Sequence, residues 1–420
     1  MAKSATTAVK AADEKRYVKL VMVTGENNNK FYEMVYNGGN TFTAKWGRIE
    51  LTEKSKQYPI DNWESVYREK TKKGYKDVSA MVAVDVEEET IVPDKYAAIK
   101  DVSVRNFIEL MRKYTDDLVK KTYSVKADKV SRKQVDEAQA ILDDLVKMDH
   151  KDENKINTRL IELYGVIPRF MKDVRNHILP TLDIKKALTQ EQDNLDAMSS
   201  QVATLEKAKA KAARAALKLG KSSKTEVSVP TYIEAMGIDM VEASDKGKKN
   251  FQDILDQLNK AKNKVIGVYE INKSAEEERF DTWLKKQKNT QTRFLIHGTR
   301  CTSVIPILRE GLKIRPDGNF QFSGKVYGDG NYFSEITTKS LGYTGHDNDQ
   351  ILLVYEVHTG NPFTYEGWYR GNKFGLNYKE LSSRGYDSTY VKAGNGLRNS
   401  EIIAYREEQA RIKYLIHIKR

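Results

Sequence analysis

The sequence predicts a multidomain α+β chain, and three successive textures predict it. A small β-rich stretch comes first, an almost wholly helical one follows, and a mixed α/β stretch with largely antiparallel sheets closes the series. At 420 residues there is room for two or three domains, each with its own core. The hydrophobic share of 39% and charged share of 31% fit a soluble globular protein. No repeat of fixed period is present.

The first texture reads as strands because YVKLVMVT, KFYEMVYN and TFTAKWGRIE alternate or run apolar between the turn signals GENNN and NGGN. IDNWESVYREKTKKGY then predicts a helix with Asp61 as N-cap and Glu64 three residues on, a capping-box pattern. In the second texture, VRNFIELMRKY and KQVDEAQAILDDLVKM place apolar residues at helical spacing, and Ser131 caps the latter. No glycine falls between Asp101 and Gly165, and prolines at 168 and 180 interrupt the series. The Lys/Arg/Ala-rich run 206–225 breaks the pattern and is expected to form an exposed insertion. In the third texture the helical stretches KKNFQDILDQLNKAK and AEEERFDTWLKKQ come first. The runs RFLIHGT, QILLVYEVH, SEIIAYRE and KYLIHIK then read as strands.

Composition excludes several classes. No run of 18 apolar residues exists, so no membrane span and no membrane partner is expected. MAKSATTAVKAADEKR lacks the apolar centre of a secretory signal. One cysteine, Cys301, rules out intrachain disulfides and zinc sites built on cysteine pairs, so a reducing compartment is expected and no metal. The net charge of +12 points to polyanionic partners. Residues 206–226 hold seven Lys/Arg against two Glu, net +5. A solvated linker or helix face, a nucleic-acid patch and an import signal all remain open for that run.

FLIHG at 294–298, GDGNYF with the TKSLGY after it, and NSEIIAY near the C-terminus together resemble the catalytic domain of the poly(ADP-ribose) polymerases. That family's His, Tyr and Glu fall here on His297, Tyr332 and Glu401. The stretch YVKLVMVTGENNNKFYEMVYNGGNTFTAKWGRIE resembles a WGR domain, carrying Trp46, Gly47 and Arg48. The runs KVSRKQVDEAQAIL and RLIELYGVIPRF resemble the helical regulatory domain of the DNA-dependent members. Each motif alone is weak; their order across the chain is specific. The resemblance implies a flexible tail over 1–14, a WGR domain over 15–92, a helical regulatory domain over 93–225 that includes the basic insertion 206–225, and an ADP-ribosyltransferase domain over 226–420.

The chemistry asks for matching residues. Nicotinamide leaves NAD⁺ as a ready-made leaving group, so the barrier lies in an oxocarbenium-like ribose and in delivering an acceptor. The resemblance places the rings of Tyr332 and Tyr343 on either side of the nicotinamide, although a tyrosine in a strand is also ordinary core packing. It gives Gly298 the carboxamide through its backbone groups and Ser340 the same through its hydroxyl. His297 falls to the adenosine-side ribose, Glu401 to the nicotinamide-ribose hydroxyl and the acceptor, and Thr299 and Arg300 to the NAD⁺ neighbourhood. Glu401 opens an apolar strand, where an acid has no packing reason to stand. Gly328-Asp329-Gly330 lacks the third glycine of a dinucleotide fingerprint, so it reads as a flexible approach to Tyr332, and RPDGNFQFSGKVY as a loop over the NAD⁺.

On the DNA side, Trp46 can stack on a terminal sugar or base and Arg48 can grip a phosphate, with Lys15 and Lys45 as helpers. Trp46 can equally be a core residue of a small sheet. Residues 1–80 carry 15 Lys/Arg against 10 Asp/Glu, net +5. The resemblance thus implies a DNA-break-dependent enzyme that uses NAD⁺ as substrate and builds polymer on proteins, itself included. A single-unit transferase acting on protein or DNA ends, or an inert DNA-end scaffold, are the other readings. The short stretch from Gly360 to Asn399 puts chain elongation in question, and no zinc-finger cysteines precede the WGR-like segment. The expected location is the nucleus of a eukaryote, or the cytoplasm and nucleoid of a bacterial or viral setting.

Overall fold

Alternation builds the N-terminal sheet. In a computed structural model, which describes residues 16–49, 51–79, 96–149, 151–219, 229–314, 327–365, 377–394 and 397–420, five strands pair in the order β4-β3-β2-β1-β5. They are β1 (Arg16–Thr24), β2 (Asn28–Tyr36), β3 (Thr41–Arg48), β4 (Lys54–Pro59) and β5 (Lys76–Asp77), and every pairing is antiparallel. Leu20, Tyr32, Met34, Phe42 and Ala44 face one side and are covered by Trp63 and Val66 of α1 (Trp63–Lys72). Asn27 closes the β1–β2 turn at φ 68°, a conformation its short polar side chain tolerates.

Two local expectations differ. Asp61 sits inside a 3₁₀ turn (Ile60–Asn62), and α1 follows it with Asn62 as N-cap and no side-chain cap bond, so the capping box at Asp61 does not form. Strand β4 has no apolar face to announce it: five of its six residues are exposed along the sheet edge.

The helical stretch supplies α2 (Val102–Thr122), α3 (Arg132–Lys147), α4 (Glu153–Val166) and α5 (Ile184–Leu219). Ser131 does cap α3. Its Oγ accepts from Gln134 N–H at 3.3 Å while Gln134 Oε1 accepts from Ser131 N–H at 3.1 Å, a reciprocal box. By internal contacts the chain divides into two units that cut through these helices. The first gathers the N-terminal sheet, α3 through Leu145 and α4; the second gathers α2 through Val119, α5 from Lys185 and the C-terminal half. Helix α2 gives Val104, Phe107, Ile108 and Met111 to the same core as Leu295, Ile351 and Leu353 of the C-terminal strands.

The basic run behaves differently from the expectation. Helix α5 continues through 206–219 without a break, because alanine, lysine and leucine are strong helix formers. Residues 220–225 of the expected insertion, and the whole expected tail 1–14, lie outside the described residues.

In the C-terminal half the chain runs α6 (Tyr232–Met236), β6 (Asp239–Glu242), α7 (Asp245–Lys248), α8 (Gln252–Lys260), β7 (Lys264–Asn272), α9 (Ser274–Leu284), β8 (Thr292–Thr299) and α10 (Cys301–Glu310). It continues β9 (Asn331–Phe333), α11 (Thr337–Leu341), β10 (Asp349–His358), β11 (Pro362–Tyr365), α12 (Tyr378–Ser383), β12 (Ser388–Val391), β13 (Glu401–Ala404) and β14 (Ala410–Lys419). One sheet has the order β6-β7-β14-β10-β8, all antiparallel. The other has the order β11-β12-β13-β9, antiparallel except for β11 with β12. Strand β10 reads as a nearly continuous apolar run because it is buried between β14 and β8. The two sheets meet where Ile296 of β8 and Ser334, just past β9, exchange backbone hydrogen bonds at 2.9 and 3.0 Å.

Candidate active site

That seam holds the cavity. Strand β8 brings in His297 and Gly298, β9 brings Tyr332, α11 and the turn after it bring Lys339, Ser340 and Tyr343, and β13 brings Glu401. These residues line one pocket of about 200 Å³. Residues separated by a hundred positions converge because β13 pairs with β9, setting Ile403 opposite Tyr332.

Glycine is obligatory at two of these places. A Cβ on Gly298 would lie 1.8 Å from the Ser340 carbonyl oxygen, so no side chain fits where α11 crosses β8. A Cβ on Gly330 would fall 2.5 Å from Ile403 Cγ2 and 2.8 Å from the Ala404 oxygen. Gly330 is therefore a close-approach glycine between β9 and β13, and the GDG run is a packed strand entry, with the Gly328 carbonyl held by the Tyr332 hydroxyl at 2.9 Å. Most of the expected loop over the NAD⁺, 315–326, lies outside the described residues.

His297 Nδ1 lies 3.0 Å from the Tyr332 carbonyl. A carbonyl only accepts, so Nδ1 carries the proton and donates. Burial pushes the imidazole pKa down, against a smaller upward pull from that bond, so the ring is neutral near pH 7 and Nε2 is left as an acceptor. Glu401 is 5% exposed, and its Oε1 meets Lys339 Nζ at 2.6 Å. Burial raises the carboxyl pKa and the lysine opposes the rise. Lys339 also reaches the Asn399 carbonyl at 3.4 Å, which fixes its ammonium at the mouth of β13. The Tyr343 phenol is half exposed, and its pKa is raised by burial first and by the Glu401 charge second. Ser340 is buried with Oγ 3.4 Å from the Ile296 carbonyl, a long contact that leaves the hydroxyl free to turn toward a carboxamide.

Sequence reasoning did not single out Lys339. It stands in the polar run TTKS, where a lysine looks like solvent-facing surface; its position directly before Ser340 is the one available signal. Thr299 is buried on β8 opposite Ile351 and is not among the cavity residues. Arg300 points elsewhere too, pairing with Asp193 of α5 at 2.5 Å. Burial lifts Asp193 to about 6, with Arg300 pulling it down and Asp196 adding to the rise.

The residues assigned to DNA fall in the first unit. Trp46 stacks on Tyr32 with centroids 5.7 Å apart and is half-buried on the sheet. Lys45 is half-buried, with its ammonium 3.5 Å from Glu53. Arg48 is spent on the protein itself: its guanidinium donates to the Asn27 carbonyl at 2.6 Å, to Asn27 Oδ1 at 2.9 Å, and to the Met171 and Lys172 carbonyls at 3.2 and 2.9 Å. Lys15 lies outside the described residues. Among the described residues no cluster of three His, Cys, Asp or Glu could hold a metal, and no described helix is long and apolar enough to cross a membrane.

A slot with two phenols, a glycine backbone, a neutral imidazole and a buried carboxylate is suited to gripping a flat carboxamide and an electron-poor sugar. The model of the poly(ADP-ribose) polymerase catalytic domain matches residues 245–367, which include His297, Gly298, Tyr332, Ser340 and Tyr343 and stop short of Glu401. The putative poly [ADP-ribose] polymerase-like protein 100L of Invertebrate iridescent virus 6 is 61% identical over 166 residues, covering 39% of this chain and 91% of that protein. The uncharacterized protein 101L of the same virus is 46% identical over 188 residues, 44% of this chain and 77% of that protein. Poly [ADP-ribose] polymerase 1 of Gallus gallus is 27% identical over 179 residues, 37% of this chain and 17% of that protein. Fold and site thus define an NAD⁺ ADP-ribosyltransferase. The chain belongs to the poly(ADP-ribose) polymerase family.

Proposed function

We propose that this enzyme transfers ADP-ribose from NAD⁺ to proteins, itself included, as polymer, when its N-terminal WGR-like unit engages broken DNA. The observation that carries the reading is the convergence of His297, Gly298, Tyr332, Ser340, Tyr343 and Glu401 on one cavity. Tyr332 and Tyr343 clasp the nicotinamide ring, where aromatic and ring–cation attraction is worth about 0.5–2 kcal/mol. Gly298 and Ser340 hold its carboxamide. His297, neutral and with Nε2 as acceptor, takes a hydroxyl of the adenosine-side ribose. With Oε1 held by Lys339, Glu401 offers its second oxygen to the nicotinamide-ribose 2′-hydroxyl and steadies the positive sugar as the glycosidic bond breaks. It then draws the proton of the incoming acceptor hydroxyl.

DNA dependence would act through the helices. Asp193 holds Arg300, Thr115 Oγ1 of α2 lies 3.3 Å from the Thr302 carbonyl, and Tyr114 donates to Asp349 at 3.0 Å. Both helices thus grip the residues that follow the His297–Gly298 strand, and loosening them shifts the population toward a substrate-open state. Since Arg48 already clamps Asn27 to residues 171–172, Trp46 and Lys45 are the better DNA contacts, and Arg48 ties the binding sheet to its neighbouring segment. The test incubates full-length protein with labelled NAD⁺, with and without nicked DNA, and sizes the products on a gel. A DNA-stimulated ladder supports the reading. A single shifted band makes the enzyme a mono-ADP-ribosyltransferase, and equal output without DNA removes the DNA switch.

A further inference from the structure

Tyr332 can serve as one wall of the nicotinamide slot only if its ring is kept from swinging. Its hydroxyl is pinned at both functions, accepting from Tyr327 N–H at 2.8 Å and donating to the Gly328 carbonyl at 2.9 Å. The pin is therefore no firmer than the Tyr327–Gly328 segment, whose central peptide lies between the two bonded groups. That peptide is held from behind by Tyr405, whose Oη donates to the Tyr327 carbonyl at 2.8 Å. Tyr405 Oη also lies 3.0 Å from Thr389 Oγ1; a phenol has a single proton, so the threonine hydroxyl donates back.

Tyr405 is itself immobile. It is 5% exposed, and its N–H and that of Arg406 both donate to Gln409 Oε1 at 3.0 Å, while Gln409 Nε2 donates to the Asp387 carbonyl at 2.8 Å. It stands one residue past β13 and shares a buried core with Ile403 of that strand and with Tyr327. The absence of a side chain at Gly330 lets the ring close in: a Cβ there would stand 3.2 Å from Tyr405 Cδ1. A chain of hydrogen bonds thus runs from Thr389 through Tyr405 and the Tyr327 peptide to the Tyr332 hydroxyl, with the carboxylate strand as its base.

We propose that Tyr405 is a positioning residue for NAD⁺: through the Tyr327 peptide it fixes the tilt of the Tyr332 ring against the nicotinamide. The proposal rests on the ADP-ribosyl-transfer reading of the cavity. Because the ring is gripped alike before and during bond breaking, loss of the pin weakens uniform binding and appears in KM more than in kcat.

The experiment follows nicotinamide release against NAD⁺ concentration, using full-length protein with saturating nicked DNA, in wild type, Tyr405→Phe, Tyr332→Phe and the double variant. Phenylalanine at 405 keeps the packing on Gly330 and removes only the hydroxyl. Tyr405→Phe is expected to raise KM about fivefold with kcat within about twofold, and the double variant to match the larger single effect, since both changes cut one chain. The dissociation constant of benzamide should rise in parallel. An unchanged KM in Tyr405→Phe, or effects that multiply in the double variant, overturns the proposal. If Tyr405→Phe does not fold, Thr389→Val loosens the same hydroxyl from its other side and carries the same expectations. A wild-type protein that releases no nicotinamide overturns the functional reading and this proposal together. An active wild type with a matching Tyr405→Phe overturns this proposal alone.

Discussion

Glu401 and Lys339 form a buried pair whose value lies in holding a charge where it is needed. An isolated carboxylate at 5% exposure would take up a proton; the ammonium 2.6 Å away opposes that. Glu401→Gln removes the charge and keeps the shape, so kcat for nicotinamide release should fall by about 10²–10⁴-fold, measured with labelled NAD⁺. In its proposed role the carboxylate acts ionised, and its pKa stands above the ordinary value. Activity therefore climbs as pH rises through that raised pKa, and the acid limb of the rate profile lies above the usual carboxylate range. Lys339 lowers the Glu401 pKa, so Lys339→Met should move the acid limb to still higher pH, read from kcat against pH. Glu401 was legible in sequence because an acid heads an apolar strand. Lys339 was not, because its partner is more than sixty residues away and only the fold joins them.

Elements were legible where period and propensity agreed. The strands around His297 and Glu401 and the Ser131-capped helix follow directly from alternation and capping. Strand β4 escaped because an exposed edge carries no hydrophobic pattern, and α5 outran its expected end because helix propensity outweighs clustered charge in an alanine-rich run. That helix also carries Asp193, which no local pattern marks as the partner of Arg300. Asp193 binds its proton more tightly when docked, at about 6 against roughly 3.9 for a free side chain, so protons favour docking. Docking is strongest in acid and weakens as pH rises through about 6. Asp193→Asn removes both the charge pair and this titration. As a neutral stand-in for the protonated carboxyl, asparagine should lower turnover without DNA several-fold near neutral pH, toward the level at acid pH, and flatten the difference in basal turnover between pH 5.5 and 7.5 (both roughly bracketing the docked pKa). Basal turnover equal to wild type at both pH values would count against the helix as a gate.

At the scale of the whole molecule, the two units cut across the helical stretch, which sequence texture alone presents as one block. Helix α2 shows why: its apolar face completes the core under β8 and β10, a tertiary partner that periodicity reveals as a face but cannot name. The net charge of +12 favours a polyanion without specifying it. If DNA activates through phosphate contact, the DNA concentration for half-maximal stimulation should rise steeply between roughly 50 and 200 mM salt, while KM for NAD⁺ moves little. Titrating nicked DNA at several salt concentrations checks this, and a flat response would remove phosphate contact as the driving term. The backbone rung between Ile296 and Ser334 carries one last consequence. A crevice formed where two sheets meet at such a rung takes its width from the filling of both interiors. Conservative swaps deep in either interior, such as Ile403→Val or Leu353→Ile, would then surface as altered selectivity among carboxamide inhibitors, well away from any atom those inhibitors touch.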